Sequence, residues 1–205
     1  MYFLLDHEPM PTSTKSVIER DLDNYIVVYE NLLSPDFCDE VIHEFQDDNE
    51  WNSALVGAQA SVDRNIRNAD VISLSSRSVK QKNAKSREKI EETLHRACAA
   101  ALRKYQAAFP FCRIVEGMGF ELLRYHAGGY YRLHTDSFNK VPRALACSFA
   151  LNDDFSGGEW GFFCGEKTVK PGKGSAVLFP SNFLFPHEIK EVTQGTRYSI
   201  VTWMI

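Results

Sequence analysis

The stretch Phe120-Glu121-Leu122-Leu123-Arg124-Tyr125-His126-Ala127-Gly128-Gly129-Tyr130-Tyr131-Arg132-Leu133-His134-Thr135-Asp136 sets two β-prone runs on either side of a Gly-Gly turn. Aliphatic and aromatic side chains suit a pleated surface, and glycine supplies the backbone freedom of a tight turn. The rhythm then repeats: Ala144–Leu151, a turn from Asp153 to Gly158, Trp160–Cys164, the turn Pro171-Gly172-Lys173-Gly174, Ala176–Phe179, and Arg197–Ile205. Strands this short, with turn signals at this spacing, predict an all-β barrel or jelly roll.

Upstream of residue 115 the pattern differs. Tyr25–Tyr29 reads as a strand. Ser34 can cap a helix whose first turn takes Pro35 and whose apolar face is Phe37, Val41, Ile42 and Phe45, running to about Gln46. A second helix is expected from about Lys80 to Ala108, with Ile90, Leu94, Cys98, Ala101 or Leu102, and Tyr105 at helical spacing and Pro110 as its stop. The fold class expected is α+β, mainly β, with these helices packed outside a jelly-roll core. No repeat or linker interrupts the chain, so one domain is expected over 1–205, with 1–115 as support and 116–205 as core.

Composition bounds the function. Apolar residues make up 44% and charged residues 24% of 205, which is ordinary for a globular protein. A net charge of −4 gives no overall positive field, so no nucleic-acid partner is expected. The basic run Arg77, Lys80, Lys82, Lys85, Arg87 and Lys89 reads better as a solvated helix face than as a nucleic-acid patch. Met1–Met10 lacks the basic start and long apolar stretch of a secretory signal, and no apolar window is long enough to span a bilayer. Five cysteines without Cys-x-x-Cys spacing argue against a disulfide framework or a zinc-thiolate site. Cytoplasmic residence, with no membrane partner, is the expectation.

The candidate chemistry begins at His134-Thr135-Asp136. Residues i and i+2 of a strand project to one face, so both side chains can reach one point. One further histidine would complete a two-His-one-carboxylate triad, which leaves coordination positions open for oxygen chemistry. A His-x-Asp by itself is weak evidence. His187, in Phe185-Pro186-His187-Glu188 just after a strand and ten residues before Arg197, is the best candidate for the third ligand. His43 and His95 fall in helices, and His126 alternates to the face opposite Tyr125. In the last strand Arg197, Ser199, Val201 and Trp203 share a face. An inward Arg with a hydroxyl two residues on suits a carboxylate, from a ligand or from an internal Asp or Glu.

Together these pieces resemble the prolyl-4-hydroxylase-like branch of the 2-oxoglutarate- and Fe(II)-dependent dioxygenases. The resemblance rests on Leu123–Asp136, Gly157-Gly158-Glu159-Trp160, Pro171–Pro180 and His187 through Trp203, in that order and spacing, and covers about the last 40% of the chain. It implies a double-stranded β-helix core. It implies Fe(II) on His134, Asp136 and His187, which are also the catalytic set. The distal carboxylate of 2-oxoglutarate would lie on Arg197 and Tyr125, with Ser199 in support. Tyr131, Arg143 and Trp203 match substrate-groove positions. O2 is the second cosubstrate, and ascorbate the expected reductant.

The activity implied is hydroxylation of a peptide or protein side chain, with prolyl 4-hydroxylation the leading case. A free amino acid or other small molecule is the alternative substrate, and a non-catalytic jelly-roll binding protein is the alternative class. Asp136 argues against halogenating relatives, which lack the carboxylate. Trp203 stands where nucleic-acid demethylases carry a second Arg. Ser61–Asp70, with Arg64 and Arg67, is either a substrate lid or, as the better expectation, an ordinary surface loop.

Overall fold

The computed structural model describes residues 22–57, 60–75, 84–114, 116–140 and 142–205. In chain order the elements are β1 (Val27–Tyr29), α1 (Pro35–Phe45), β2 (Asn52–Ser53), β3 (Arg67–Asn68), β4 (Asp70–Ser73), α2 (Ala84–Ala108), β5 (Glu121–His126), β6 (Tyr130–His134) and β7 (Leu145–Ala150). They continue with β8 (Ser156–Gly157), β9 (Trp160–Phe162), β10 (Lys167–Val169), β11 (Ala176–Pro180), β12 (His187–Ile189), β13 (Val192–Gln194) and β14 (Thr196–Met204). Short 3-10 turns lie at Leu22–Tyr25 and Phe163–Gly165.

Two antiparallel sheets form the jelly roll. One runs β1-β11-β7-β14-β5-β4-β2, the other β10-β9-β12-β6-β3, and β13 pairs with β8 in a small ribbon. Alternation sends each strand of the large sheet in two directions. On one side Ile72, Leu122, Cys147, Phe149, Leu178 and Ile200 meet Val41 and Phe45 of α1 and Ile90, Leu94, Ala101 and Tyr105 of α2. On the other, Leu123, Tyr125, Ala146, Val177, Phe179, Val201 and Trp203 meet Trp160, Phe162 and Ile189 of the smaller sheet. The helices therefore pack outside the β core, as expected. Every residue of β7 is buried, because that strand has neighbours on both edges and both faces.

Local chemistry sets the helix starts and turns. The Ser34 hydroxyl accepts from the Phe37 amide at 3.2 Å, and Pro35 opens α1. Gly128 takes φ +81° in the β5–β6 turn, a conformation that side chains with a Cβ rarely adopt.

Several expectations change. Tyr25 belongs to a 3-10 turn, so β1 is shorter than predicted. The start of α2 near Lys80, with Arg77, Lys80 and Lys82, lies outside the described residues, as does Met1–Met10. Arg87 is not solvated: it is 3% exposed, donates to Glu50 at 2.8 Å and to the Ser73 carbonyl at 3.2 Å, and lies over the Phe45 ring. The interior of a helix–sheet interface has captured this side chain. Ser61–Asp70 is not a plain surface loop either, since it contains β3 and opens β4. Among the described residues no helix is long and apolar enough to cross a membrane.

Candidate active site between the two sheets

The smaller sheet brings two histidines together by strand pairing. His134 ends β6 and His187 opens β12, and the two are direct cross-strand partners. Their ring centroids lie 4.3 Å apart. His187 thus follows β11, as expected, and itself opens a further short strand. Asp136 lies in a bend beyond β6, so strand alternation does not bring it in. The chain turns after His134, and the Arg143 guanidinium donates to the Asp136 carbonyl at 3.2 Å. The Asp136 carboxylate then sits 3.5 Å from His134 Nε2 and 3.6 Å from His187 Nε2. One potential ligand atom from each of the three lies within 4.8 Å of the others.

Tautomer and charge suit a cation. His134 Nδ1 is 2.8 Å from the Arg132 carbonyl, and His187 Nδ1 is 3.0 Å from the Phe185 carbonyl. A carbonyl only accepts, so each Nδ1 carries the hydrogen and each Nε2 turns a lone pair toward Asp136. Burial pushes the His187 imidazolium down to about 4, which favours the neutral, ligating form. Burial alone would raise the Asp136 carboxyl, but positive charge on the imidazoles of His187 and His134 beside it, a place a bound cation would take, holds it below the usual carboxylate range. The three side chains fit a divalent metal with two nitrogens and one oxygen.

The larger sheet supplies the facing wall. Arg197 pairs with Tyr125 across β14 and β5, and Ser199 pairs with Leu123. Arg197 is 4% exposed and donates to the Ser199 hydroxyl at 2.9 Å, with the Tyr125 ring 5.2 Å from its guanidinium carbon. Burial lowers its pKa, and among the described residues no carboxylate pairs with it. The internal Asp or Glu that the sequence left open is therefore not found there. Gly158 makes room for this side chain: a Cβ at 158 would stand 3.1 Å from Arg197 Cδ.

His134, Asp136, His187, Arg197, Tyr125, Ser199, Tyr131 and Trp203 all line one cavity between the sheets. Tyr131 stacks on His134 with centroids 3.5 Å apart, and burial pushes its phenol up to about 12. Trp203 carries the Arg143 guanidinium 3.7 Å from its ring centroid, but Arg143 does not itself line the cavity. Its observed contact braces the Asp136 backbone. Sequence reasoning missed Trp160 and Ser148 on the wall, and placed Arg67 on the surface. Arg67 is 7% exposed and lies 4.5 Å over the Tyr131 ring.

The His-Asp-His group, which could hold a metal ion, thus lines the same cavity as a buried arginine that has no carboxylate partner among the described residues. The oxygenase likeness read from the sequence is borne out. Residues 120–205 match the model of the 2OG-Fe(II) oxygenase superfamily. A PKHD-type hydroxylase of Psychrobacter sp. (strain PRwf-1) is 33% identical over 110 residues, 52% of this chain and 40% of the relative. A PKHD-type hydroxylase of Synechococcus sp. (strain JA-3-3Ab) is 30% identical over 133 residues, 60% of this chain and 57% of the relative. The chain thus spans about half the length of these curated relatives.

Solved structures agree on the fold. A Trichoplax adhaerens prolyl hydroxylase in complex with a hypoxia inducible factor oxygen degradation domain peptide fragment superposes with TM-score 0.74 at 17% identity. The match covers 89% of this chain and 84% of that one. A Pseudomonas putida prolyl-4-hydroxylase superposes with TM-score 0.64 at 19% identity, covering 88% of this chain and 91% of the other.

Proposed function

We propose that the protein is a 2-oxoglutarate- and Fe(II)-dependent dioxygenase that hydroxylates a prolyl side chain in a peptide or protein. The observation that carries this reading is the pairing of the triad with Arg197 across one cavity. His134, Asp136 and His187 would hold the iron, and the carbonyl-tied Nδ1 atoms keep both histidines in the ligating tautomer. When bound, the iron supplies activation of O2 as 2-oxoglutarate becomes succinate and CO2 and a substrate C–H becomes C–OH.

The remaining work falls to the chain. Arg197, with Ser199 fixing its fork, grips the distal carboxylate of 2-oxoglutarate through charge-assisted hydrogen bonds in a buried setting. Tyr125, 1% exposed, donates its hydroxyl hydrogen to the same group. Trp160, Phe162, Phe179 and Ile189 pack around the site and exclude water. Tyr131 and Trp203 orient the substrate, and Arg143 steadies both Trp203 and Asp136. Ascorbate serves as the reductant. The five cysteines are all unpaired, which supports residence in a reducing, cytoplasmic setting.

The test is succinate formation from 2-oxoglutarate with Fe(II), loaded anaerobically and assayed with ascorbate. Wild-type turnover that disappears in His134→Ala supports the reading. No turnover in either would leave a binding module, and metal binding indifferent to 2-oxoglutarate would indicate another metalloprotein class. A peptide library searched for the gain of one oxygen atom then identifies the target residue.

A further inference from the structure

Arg67 is a second buried guanidinium, 7% exposed, at a different point of the same cavity wall. A guanidinium stays charged, so burying it is costly unless an anion or a full set of acceptors meets it. Arg67 donates to the Leu55 carbonyl at 3.0 Å, but its Nε has no partner. Among the described residues no carboxylate forms an ion pair with it. Glu121, on the same face of β5 as Leu123 and Tyr125, acts on it only at longer range, and Arg143 draws on that same carboxylate. The Nε of Arg143 is also buried without a partner. Glu121 therefore faces two guanidiniums without a close ion pair to either, and Arg143 also has Asp136 near it.

The surroundings hold Arg67 in place. β3 pairs with β6, setting Arg67 opposite Tyr131. The Arg132 amide donates to the Ile66 carbonyl at 2.8 Å, and Asn68 donates to the Gly128 carbonyl at 2.9 Å. Arg64 closes the loop with Asp70 at 2.8 Å. This is a fixed platform next to the triad, since Tyr131 packs against both Arg67 and His134. If Arg197 takes the cosubstrate, Arg67 is left to take a second anion.

We propose that Arg67 is a substrate-recognition residue that binds a carboxylate carried by the substrate close to the carbon being hydroxylated. This rests on the oxygenase reading above. The carboxylate has two sources: the α-carboxylate of a free amino acid, or an acidic residue adjoining the target in a peptide. Arg67 donates to it from the face that now lacks a partner.

The experiment compares matched acid and neutral compounds with Fe(II)-loaded enzyme. One pair is L-proline and L-prolinamide. The other is N-acetyl-prolyl-aspartate amide and N-acetyl-prolyl-asparagine amide. Succinate and hydroxylated product are both measured. In one pair the acid member should exceed its neutral partner by roughly ten- to a hundredfold in kcat/KM, and that pair identifies the source. In Arg67→Gln the gap should shrink to within about threefold, mainly through KM, while Arg67→Lys keeps part of it. Equal kcat/KM within both wild-type pairs overturns the proposal without any variant having to fold. A preference that survives Arg67→Gln also overturns it. Absence of product in every arm while the Fe(II)-loaded enzyme still binds 2-oxoglutarate overturns this inference alone, and absence of 2-oxoglutarate binding sinks the oxygenase reading and this inference with it.

Discussion

Two buried arginines on opposite sides of the large sheet behave differently. On the helix side, Arg87 meets Glu50 at 2.8 Å and closes a junction between α2 and the segment after α1. On the cavity side, Arg197 is equally buried, and among the described residues it meets a hydroxyl and no carboxylate. The first is a structural charge with its partner in the chain. The second is, in the proposed function, the charge that receives its partner from the cosubstrate. Burial of an arginine therefore says little about function until its acids are counted.

The largest expected effect removes the reason for that difference. Asp136→Ala should abolish Fe(II)-dependent succinate formation down to the no-enzyme background, because two neutral imidazoles cannot replace a buried anionic ligand. Metal titration of the same variant checks that ligation is what failed.

Next, the two arginines should split stability from binding. Arg197→Met should weaken 2-oxoglutarate binding about a hundredfold while leaving stability unchanged or about 1 kcal/mol higher, since it removes a buried charge without an ion pair. Arg87→Met should do the reverse, costing about 2 kcal/mol of stability, a figure discounted because Glu50 is 31% exposed, with 2-oxoglutarate affinity intact. Denaturant unfolding and calorimetry on both variants read the two effects separately.

Acid should strain the cavity side selectively. His187 ordinarily titrates near 6.5 and is held at about 4 when folded, so the unfolded chain takes up a proton that the folded one refuses. The metal-free protein should be fully stable above about pH 6.5 and lose up to about 3 kcal/mol as pH falls toward 4. Unfolding midpoints against pH, compared with a His187→Asn variant that flattens this window, measure it.

The smallest effect concerns the fork holding Arg197. Ser199→Ala removes one buried hydrogen bond and should raise KM for 2-oxoglutarate by roughly fivefold, with kcat little changed.

How far the site could be read from the chain follows the range of the interactions involved. Arg197, Ser199 and Trp203 alternate along one strand, so their shared face was legible locally. His134 and Asp136 were legible as a pair, although a bend and not the pleat brings Asp136 inward. His187 was found by its place before Arg197, but the strand it opens has only three residues and leaves no periodicity to detect. Arg67 was misread for the same reason. Its strand has two residues and exists because β6, more than sixty positions later in the chain, pairs with it. Arg87 was misread because its partner Glu50 lies on a distant turn, and a basic run offers no sign of which member turns inward. Long, regular elements such as α2 and β14 show themselves in sequence; two- and three-residue strands exist only through their neighbours.

The central claim is that a metal on three side chains and one buried guanidinium jointly hold a diacid. It is tested most directly by titrating 2-oxoglutarate calorimetrically into the Fe(II)-loaded protein under argon. One equivalent should bind, binding should vanish without metal or in Asp136→Ala, and it should weaken sharply in Arg197→Met. Equal affinity across all four samples would contradict the account.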